Sequence, residues 1–416
     1  MRIHSFFLAA GVGSLLLATA LSPATTAQAH ESVPRVPEVW TVADRLLVTD
    51  SSSGNVIVID DQAVRERIST PKAPISLAAS TDGTLAFAFR GRSTDRDHVT
   101  MIDTAYDEST GKAGRPYVAR TWIANSSGGV HDGRLPEIDG KIGIALEANG
   151  KLQLIDPTKV SGLGDINAGA LSLGTPGHYS FTQVTAPDGT ELLHVGNVIG
   201  TSQVIDARTG TVLSRGTGSC PALHGSVLTS DSSRVIFACG NGLRVVPSVP
   251  GVGEQSFVSY PDGFRDGALH RGTGSIVWGS NEGALTALHR IDTSTAVPTI
   301  TSVKLANGKH RRTAVAVDFS ADRTKLYVLT HQGYLQLRNA STGSLIRERK
   351  VMKKISTAID ETTEYAILPD LAIGDTRAYV SVPQSGRVIS LTTDLRKVAK
   401  TIKTGGKPTR LVLLEH

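Results

Sequence analysis

The sequence predicts an all-β chain folded as a single β-propeller of eight four-stranded blades. Three observations carry that expectation: a repeated three-strand unit, the spacing of its copies, and a complementarity between the two ends of the chain. Period-two alternation of apolar and polar residues with Gly-rich turns dominates, and no stretch of any length shows helical periodicity. The unit is an alternating strand, a turn such as Asp-Gly, a second strand, a Gly or Asn loop, and a third strand ending in Asp or Asn. It is read first in LLVTDSSSGNVIVID, then in LAASTDGTLAFAF with VTMID, PEIDGKIGIALEANGKLQLID and VTAPDGTELLHVGNVIGTSQVID. It continues in VLTSDSSRVIFACGNGLRVV, GTGSIVWGSNEGALTALHRID, VDFSADRTKLYVLTHQGYLQLRN and AIGDTRAYVSVPQSGRVISL.

The third strands are expected to end near Asp60, Asp103, Asp156, Asp206, Val246, Asp292, Asn339 and Thr392, a spacing of about 40 to 53 residues that suits a four-stranded propeller blade. The first unit lacks an innermost strand, and the terminal KPTRLVLLEH is similar to KAPISLAAS, the innermost strand of the second unit. The C-terminal strand is therefore expected to join the N-terminal blade and close the ring, which removes exposed sheet edges. Seven blades stay open as an alternative, because Ser161 to Thr175 is irregular.

The first residues read as an export signal: Arg2, an apolar run from Phe6 to Leu21, then Ala27-Gln28-Ala29, a small-x-small cleavage pattern. We expect a signal peptide at 1–29 with cleavage near Ala29, a short N-terminal extension at 30–38, and the propeller at 39–416. No cysteine follows the apolar run, and no later segment approaches the roughly 20 apolar residues that span a bilayer. The expected product is a soluble extracytoplasmic monomer, secreted or periplasmic, without membrane insertion. The formal net charge of +5 is intermixed rather than gathered into a basic stripe, which argues against a nucleic-acid partner. In an oxidising compartment the two cysteines, Cys220 and Cys239, are expected to pair across one hairpin.

Propeller geometry puts the link from an outer strand to the next inner strand on the same rim as the loop between strands two and three. By that rule His131 in GGVHDG, His178 in GTPGHYS, His224 at the start of an inner strand and His98 in RGRSTDRDHV share one rim. Asp132, Asp266 in FRDGA, Asp95 and Asp97 lie on it too, while His310 is two blades further round. Imidazoles with a carboxylate form the N/O ligand set that Zn²⁺ takes in tetrahedral geometry. The metal ligands expected are His98, His131, His178 and His224, with Asp97, Asp95, Asp132 and Asp266 as carboxylate ligands or their supports. Imidazole binds metal only when neutral, so binding should weaken as pH falls through about 6.5. His270 is placed near the first turn of its blade on the opposite face and His289 within a third strand, both structural. His194 and His331 are held in reserve near second-to-third strand loops.

Catalytic signatures are missing: no GxSxG elbow, complete GxGxxG, P-loop, HExxH or CxxC is present. Asp-Gly pairs such as Asp188-Gly189 are turn chemistry, and Asp360 with Glu361 reads as a solvated loop. We therefore do not expect an enzyme.

The stretch CPALHGSV with the later IFACG resembles the Cys-Pro-x-Leu-His-Gly signature of bacterial zinc metallochaperone propellers of the AztD type, which are encoded with zinc ABC importers. RDHVTMID falls where that family carries a His- and Asp-rich loop, and GHYSF where it carries a His-Gly link. The resemblance implies an extracytoplasmic propeller that binds Zn²⁺ and passes it to the importer's solute-binding protein, with His224 as the firmest ligand, then His98 and His178, then His131. The chain departs from the family in its His-rich loop, thinned to one His among Asp95, Arg96 and Asp97, and in having no dense histidine tail. Two alternatives remain: a propeller hydrolase such as a lactonase with a channel metal, and a metal-free interaction scaffold.

Overall fold

The computed structural model describes residues 39–415, apart from 72, 93–94, 125–134, 160–164, 262, 281–286, 307, 309–311, 357–358 and 361–364. The described residues form eight four-stranded antiparallel sheets. The first combines Pro408–Glu415 with Asp44–Asp50, Asn55–Asp60 and Ala63–Ser69. The C-terminal strand thus supplies the missing inner strand, in the register Asp44↔Glu415 to Asp50↔Pro408. The other inner strands are Ser76–Ala79, Glu137–Ile138, Tyr179–Thr185, His224–Leu228, Ala268–Arg271, Ala314–Phe319 and Leu371–Ile373. The third strands end at Asp60, Asp103, Ile155, Asp206, Pro247, Asp292, Asn339 and Thr392, each at or within one residue of the position expected. Among the described residues there is no α-helix, and none is long and apolar enough to cross a membrane.

Two small additions were not expected. A hairpin of Tyr106–Asp107 and Lys112–Ala113 extends the second unit and pairs with Trp40–Thr41, and Ile359–Asp360 pairs with Tyr365–Ala366 ahead of the eighth.

The middle strands are apolar on both faces because each sheet is covered on both sides. In Asp44–Asp50 every residue is buried. Leu47 packs with Ala86 and Ile102 of the second sheet, whereas Leu46 and Val48 pack with Tyr379 and Val388 of the eighth. Alternation therefore deals successive side chains to opposite neighbours. Comparable clusters lie between each further pair of consecutive sheets, from second and third to seventh and eighth.

A polar stitch recurs beside these clusters. A side chain of the second strand donates to a carbonyl in the turn after the third strand of the following sheet. Trp278 Nε1 bonds Ala340 O at 2.8 Å and Tyr327 Oη bonds Thr393 O at 2.7 Å; Arg45 reaches Thr104 O and Arg234 reaches Thr293 O in the same way. Arg45, wholly buried, is neutralised by Asp60 at 2.8 Å, which a buried guanidinium requires.

Two buried titratable groups oppose each other across one pH range. His194, on the second strand Glu191–Asn197, bonds Ser248 O at 2.8 Å, and burial holds its imidazole down to about 4. Its folded state refuses a proton that the unfolded chain accepts below about 6.5, so its contribution to stability is whole above that pH and is lost as pH falls toward 4. Asp318, on the seventh inner strand, accepts from Ile373 N at 2.9 Å, and burial pushes it up to about 7. Its folded state keeps a proton that the unfolded chain releases, so acidification from 7 toward 4 stabilises. Asp318→Asn keeps a carbonyl for Ile373 and removes this carboxyl's opposition to the histidine. Its urea-unfolding free energy should fall more steeply than wild type between pH 6.5 and 4, by up to about 1.4 kcal/mol per pH unit; parallel profiles would refute the assignment.

Candidate functional site

The inner strands surround a cavity of about 430 Å³ lined from the third through eighth sheets and by Arg410 of the first. Its polar wall holds Glu147, His178, His224, His270 and Ser280, and facing it are Ala314, Val315, Ala316 and Val317 with Asp370 and Arg410.

His178 immediately precedes the fourth inner strand and His224 opens the fifth. Their rings lie side by side, with centroids 4.5 Å apart and planes inclined by 30°. Glu147 begins the 3-10 turn Glu147–Asn149, the loop between strands two and three of the third sheet. Its buried carboxylate accepts from His178 Nδ1 at 2.7 Å and from the Tyr179 backbone N–H at 3.3 Å. His224 Nδ1 bonds Gly267 O, in the link into the sixth sheet. A carbonyl oxygen can only accept, so Nδ1 carries the proton and the neutral ring turns its lone pair to Nε2. At Glu147 an ionised carboxylate would likewise only accept, which would put a proton on His178 Nδ1. Imidazoles held through one nitrogen by a carboxylate or carbonyl are arranged as metal-ligating histidines are.

Local sequence explains how His224 reaches the cavity. Gly225 has φ +72°, and the register slips between His224 and Ser226, a bulge that bends the strand and re-aims its neighbour. Cys220 and Cys239 form the expected disulfide, tying the segment before His224 to the second strand of its own sheet. Beyond the bulge, Ser226 accepts from Ser180 and Thr182 of the fourth inner strand, each at 2.8 Å, so the strands bearing the two histidines are bonded to each other.

Of the candidates, His178 and His224 come together. His98 lies within the third strand of the second sheet, paired with Arg90 and Ile123, and does not line the cavity. Asp95 and Asp97 fall on the same strand with side chains outside the described ones. His131, Asp132 and His310 lie outside the described residues. Asp266 is buried and bonds His289 Nδ1 at 3.0 and 3.1 Å. Among the described residues no group of three or more His, Cys, Asp or Glu is disposed to hold a metal ion.

Three placements differ from expectation. His270, expected near the first turn of its blade on the opposite face, is the penultimate residue of the inner strand Ala268–Arg271 and lines the cavity with Nε2 2.9 Å from Ser280 Oγ. His194 sits inside a strand, not near a loop. Glu147 was missed, although the rule that gathered the histidines also places its loop on their rim.

The Gly225 bulge can be tested against Gly140, which has φ +70° and nothing near the position of a Cβ. At Gly225 a Cβ would lie 3.0 Å from Gly267 O and 3.1 Å from Ala268 Cα. Both alanine variants incur the left-handed strain of about 1–2 kcal/mol, and Gly225→Ala should lose measurably more in thermal unfolding; equal losses would contradict the crowding.

No family model and no curated protein matches the chain. Solved structures do. Apo AztD from Citrobacter koseri superposes with a TM-score of 0.67 at 19% identity, covering 90% of this chain and 98% of that one; a second AztD structure from the same organism gives 0.65. The dihydro-heme d1 dehydrogenase NirN, in complex with DHE, gives 0.62 at 15% identity over 91% of this chain and 77% of its own. The chain therefore has the AztD-type propeller fold.

Proposed function

We propose that this protein is an extracytoplasmic zinc-binding metallochaperone that carries Zn²⁺ to the solute-binding protein of an ABC importer. The observation that carries the reading is the pair His178 and His224, side by side on the cavity with both Nδ1 atoms engaged. The likeness to AztD and the CPALHGSV segment supply the rest of the support, and the disulfide suits an oxidising compartment.

Zinc is the cargo here, and the donor set suits it in kind but is half complete. Two imidazoles provide two of the four positions of a tetrahedral ion. His98 does not line the cavity, so His131 remains the proposed further ligand from this chain, with water or a partner's side chain for the positions left over. The carboxylates on the cavity wall, Glu147 and Asp370, are bonded to His178 and to the Leu411 N–H respectively. A nitrogen-led wall favours zinc over the oxygen-rich shell that Ca²⁺ takes.

The test is metal analysis of chelator-treated, zinc-reloaded protein. Wild type should retain zinc after gel filtration, whereas His178→Ala and His224→Ala should each lose most of it while keeping the wild-type circular dichroism spectrum. Zinc retained in both variants, or absent from wild type, would sink the proposal.

A further inference from the structure

We infer that Asp266 and His289 are positioning residues for His224: a buried carboxylate–imidazole pair that fixes the Gly267 carbonyl and through it the tautomer of the zinc-binding ring. The inference rests on His224 being a zinc ligand, and it concerns residues that do not touch the ion.

The link into the sixth sheet runs exposed through Gly263, Phe264 and Arg265, then turns inward at Asp266, which is 1% exposed. Both carboxylate oxygens of Asp266 face His289 Nδ1, on the third strand of the sixth sheet. The Asp266 backbone N–H donates to Tyr260 Oη at 3.2 Å, and the Tyr260 ring stacks on His289 at 5.0 Å between centroids. Burial and the Asp266 carboxylate push the Tyr260 phenol well above its ordinary range, so its hydroxyl stays protonated beside the carboxylate. On the sheet, Gly279 pairs directly with His289, and a Cβ at Gly279 would overlap the Asp266 carboxylate. The sheet is thus notched to admit this one side chain.

The residue after Asp266 is Gly267, whose oxygen receives His224 Nδ1–H. Gly267 is buried and its own N–H donates to Ser280 O at 2.8 Å, which holds the residue on its sheet side, and the buried pair one residue earlier holds the peptide that enters it. Burying a carboxylate with an imidazole is costly unless the geometry is well satisfied, and an apolar plug would anchor the link more simply. What the pair adds is a fixed angle for the adjoining peptide. Outer partners of this kind set ligand orientation and basicity, and losing one typically weakens metal binding by about 10–100-fold.

The experiment uses the exported chain with ¹⁵N-labelled histidine. Long-range ¹⁵N–¹H correlations, with the His224 signals identified by their loss in His224→Gln, read its tautomer without zinc, and competition against a chelator reads its zinc affinity. Wild type should show His224 protonated at Nδ1. Asp266→Ala and His289→Ala should give mixed tautomers and a zinc dissociation constant raised about 10–100-fold. His289→Asn, whose side-chain amide can still donate to Asp266, should restore both. An unchanged His224 tautomer in a folded Asp266→Ala, or zinc affinity within twofold of wild type, would overturn the inference. Should Asp266→Ala fail to fold, the His289 pair decides, and identical behaviour of the Ala and Asn variants overturns it. A wild type that binds no zinc would defeat the proposed function and with it the zinc-affinity half of the inference, while the tautomer, read without zinc, still decides whether the pair positions His224.

Discussion

The constraint on which the structure depends is that none of its sheets can bury its own faces. A four-stranded sheet with apolar residues on both sides is stable only when another sheet covers each side. Here every such face finds its cover in the next sheet along the chain, and the eighth covers the first. The strand that makes the last pairing is the last strand of the chain, held by a ladder from Asp44↔Glu415 to Asp50↔Pro408 with one irregularity between Val48 and Asp50. Apolar packing is non-directional, so it cannot by itself set how far one sheet rotates on the next. The donors that reach from a second strand to the following sheet's turn, Trp278, Tyr327, Arg45 and Arg234, supply that direction.

The cavity follows from the same constraint. Outer and middle strands are wide enough apart to be filled by Leu, Ile, Phe and Tyr, but the inner strands crowd an axis that the apolar clusters leave open. Inner-strand residues there are mixed: Ser180, Gly225, Ser226, Ala268, Ala314 and Ala316 are small, and Tyr179, Phe181, Leu269, Val315 and Val317 add apolar surface. Against that background two imidazoles and a buried glutamate at neighbouring positions stand out as chemistry rather than packing. Their backbone is also stiffer than its loop location suggests, because the disulfide, the Gly225 bulge and the Ser180–Ser226 bond converge on the segments that bear them.

Much of this was legible from residues alone, for identifiable reasons. Several strand ends could be read because Asp or Asn closes the third strand by bonding the turn that follows, as Asp206 does to the N–H groups of Arg208 and Thr209 and Asn339 to those of Ser341 and Thr342. His178 and His224 could be placed because links into inner strands lie on one rim by topology. His270 does stand beside the first turn of its sheet, at the penultimate position of the short strand ALHR, but nothing in that stretch signals that its ring turns to the cavity. Glu147 was passed over because LEANG reads as ordinary loop chemistry, and nothing in it signals that the carboxylate turns inward to a residue 31 positions away. Asp266 was read as a rim carboxylate; the signal for its burial is Gly279 opposite His289, a notch that only pairing register reveals.

Two imidazoles alone are a poor vault for zinc and a serviceable handhold. A tetrahedral ion with four protein ligands leaves only when several bonds break together, whereas one held through two nitrogens has positions that water or an acceptor's side chain can occupy in turn. The affinity lost by having fewer ligands is partly recovered by orienting those present, since no reorganisation is then required on binding. Under the proposed zinc reading, that is the part Glu147 would play at His178 and the Gly267 carbonyl at His224, each holding Nδ1 so that Nε2 is left as the donor. A site built this way spends its structure on the direction of its ligands rather than on their number, which is the balance that carrying an ion onward demands.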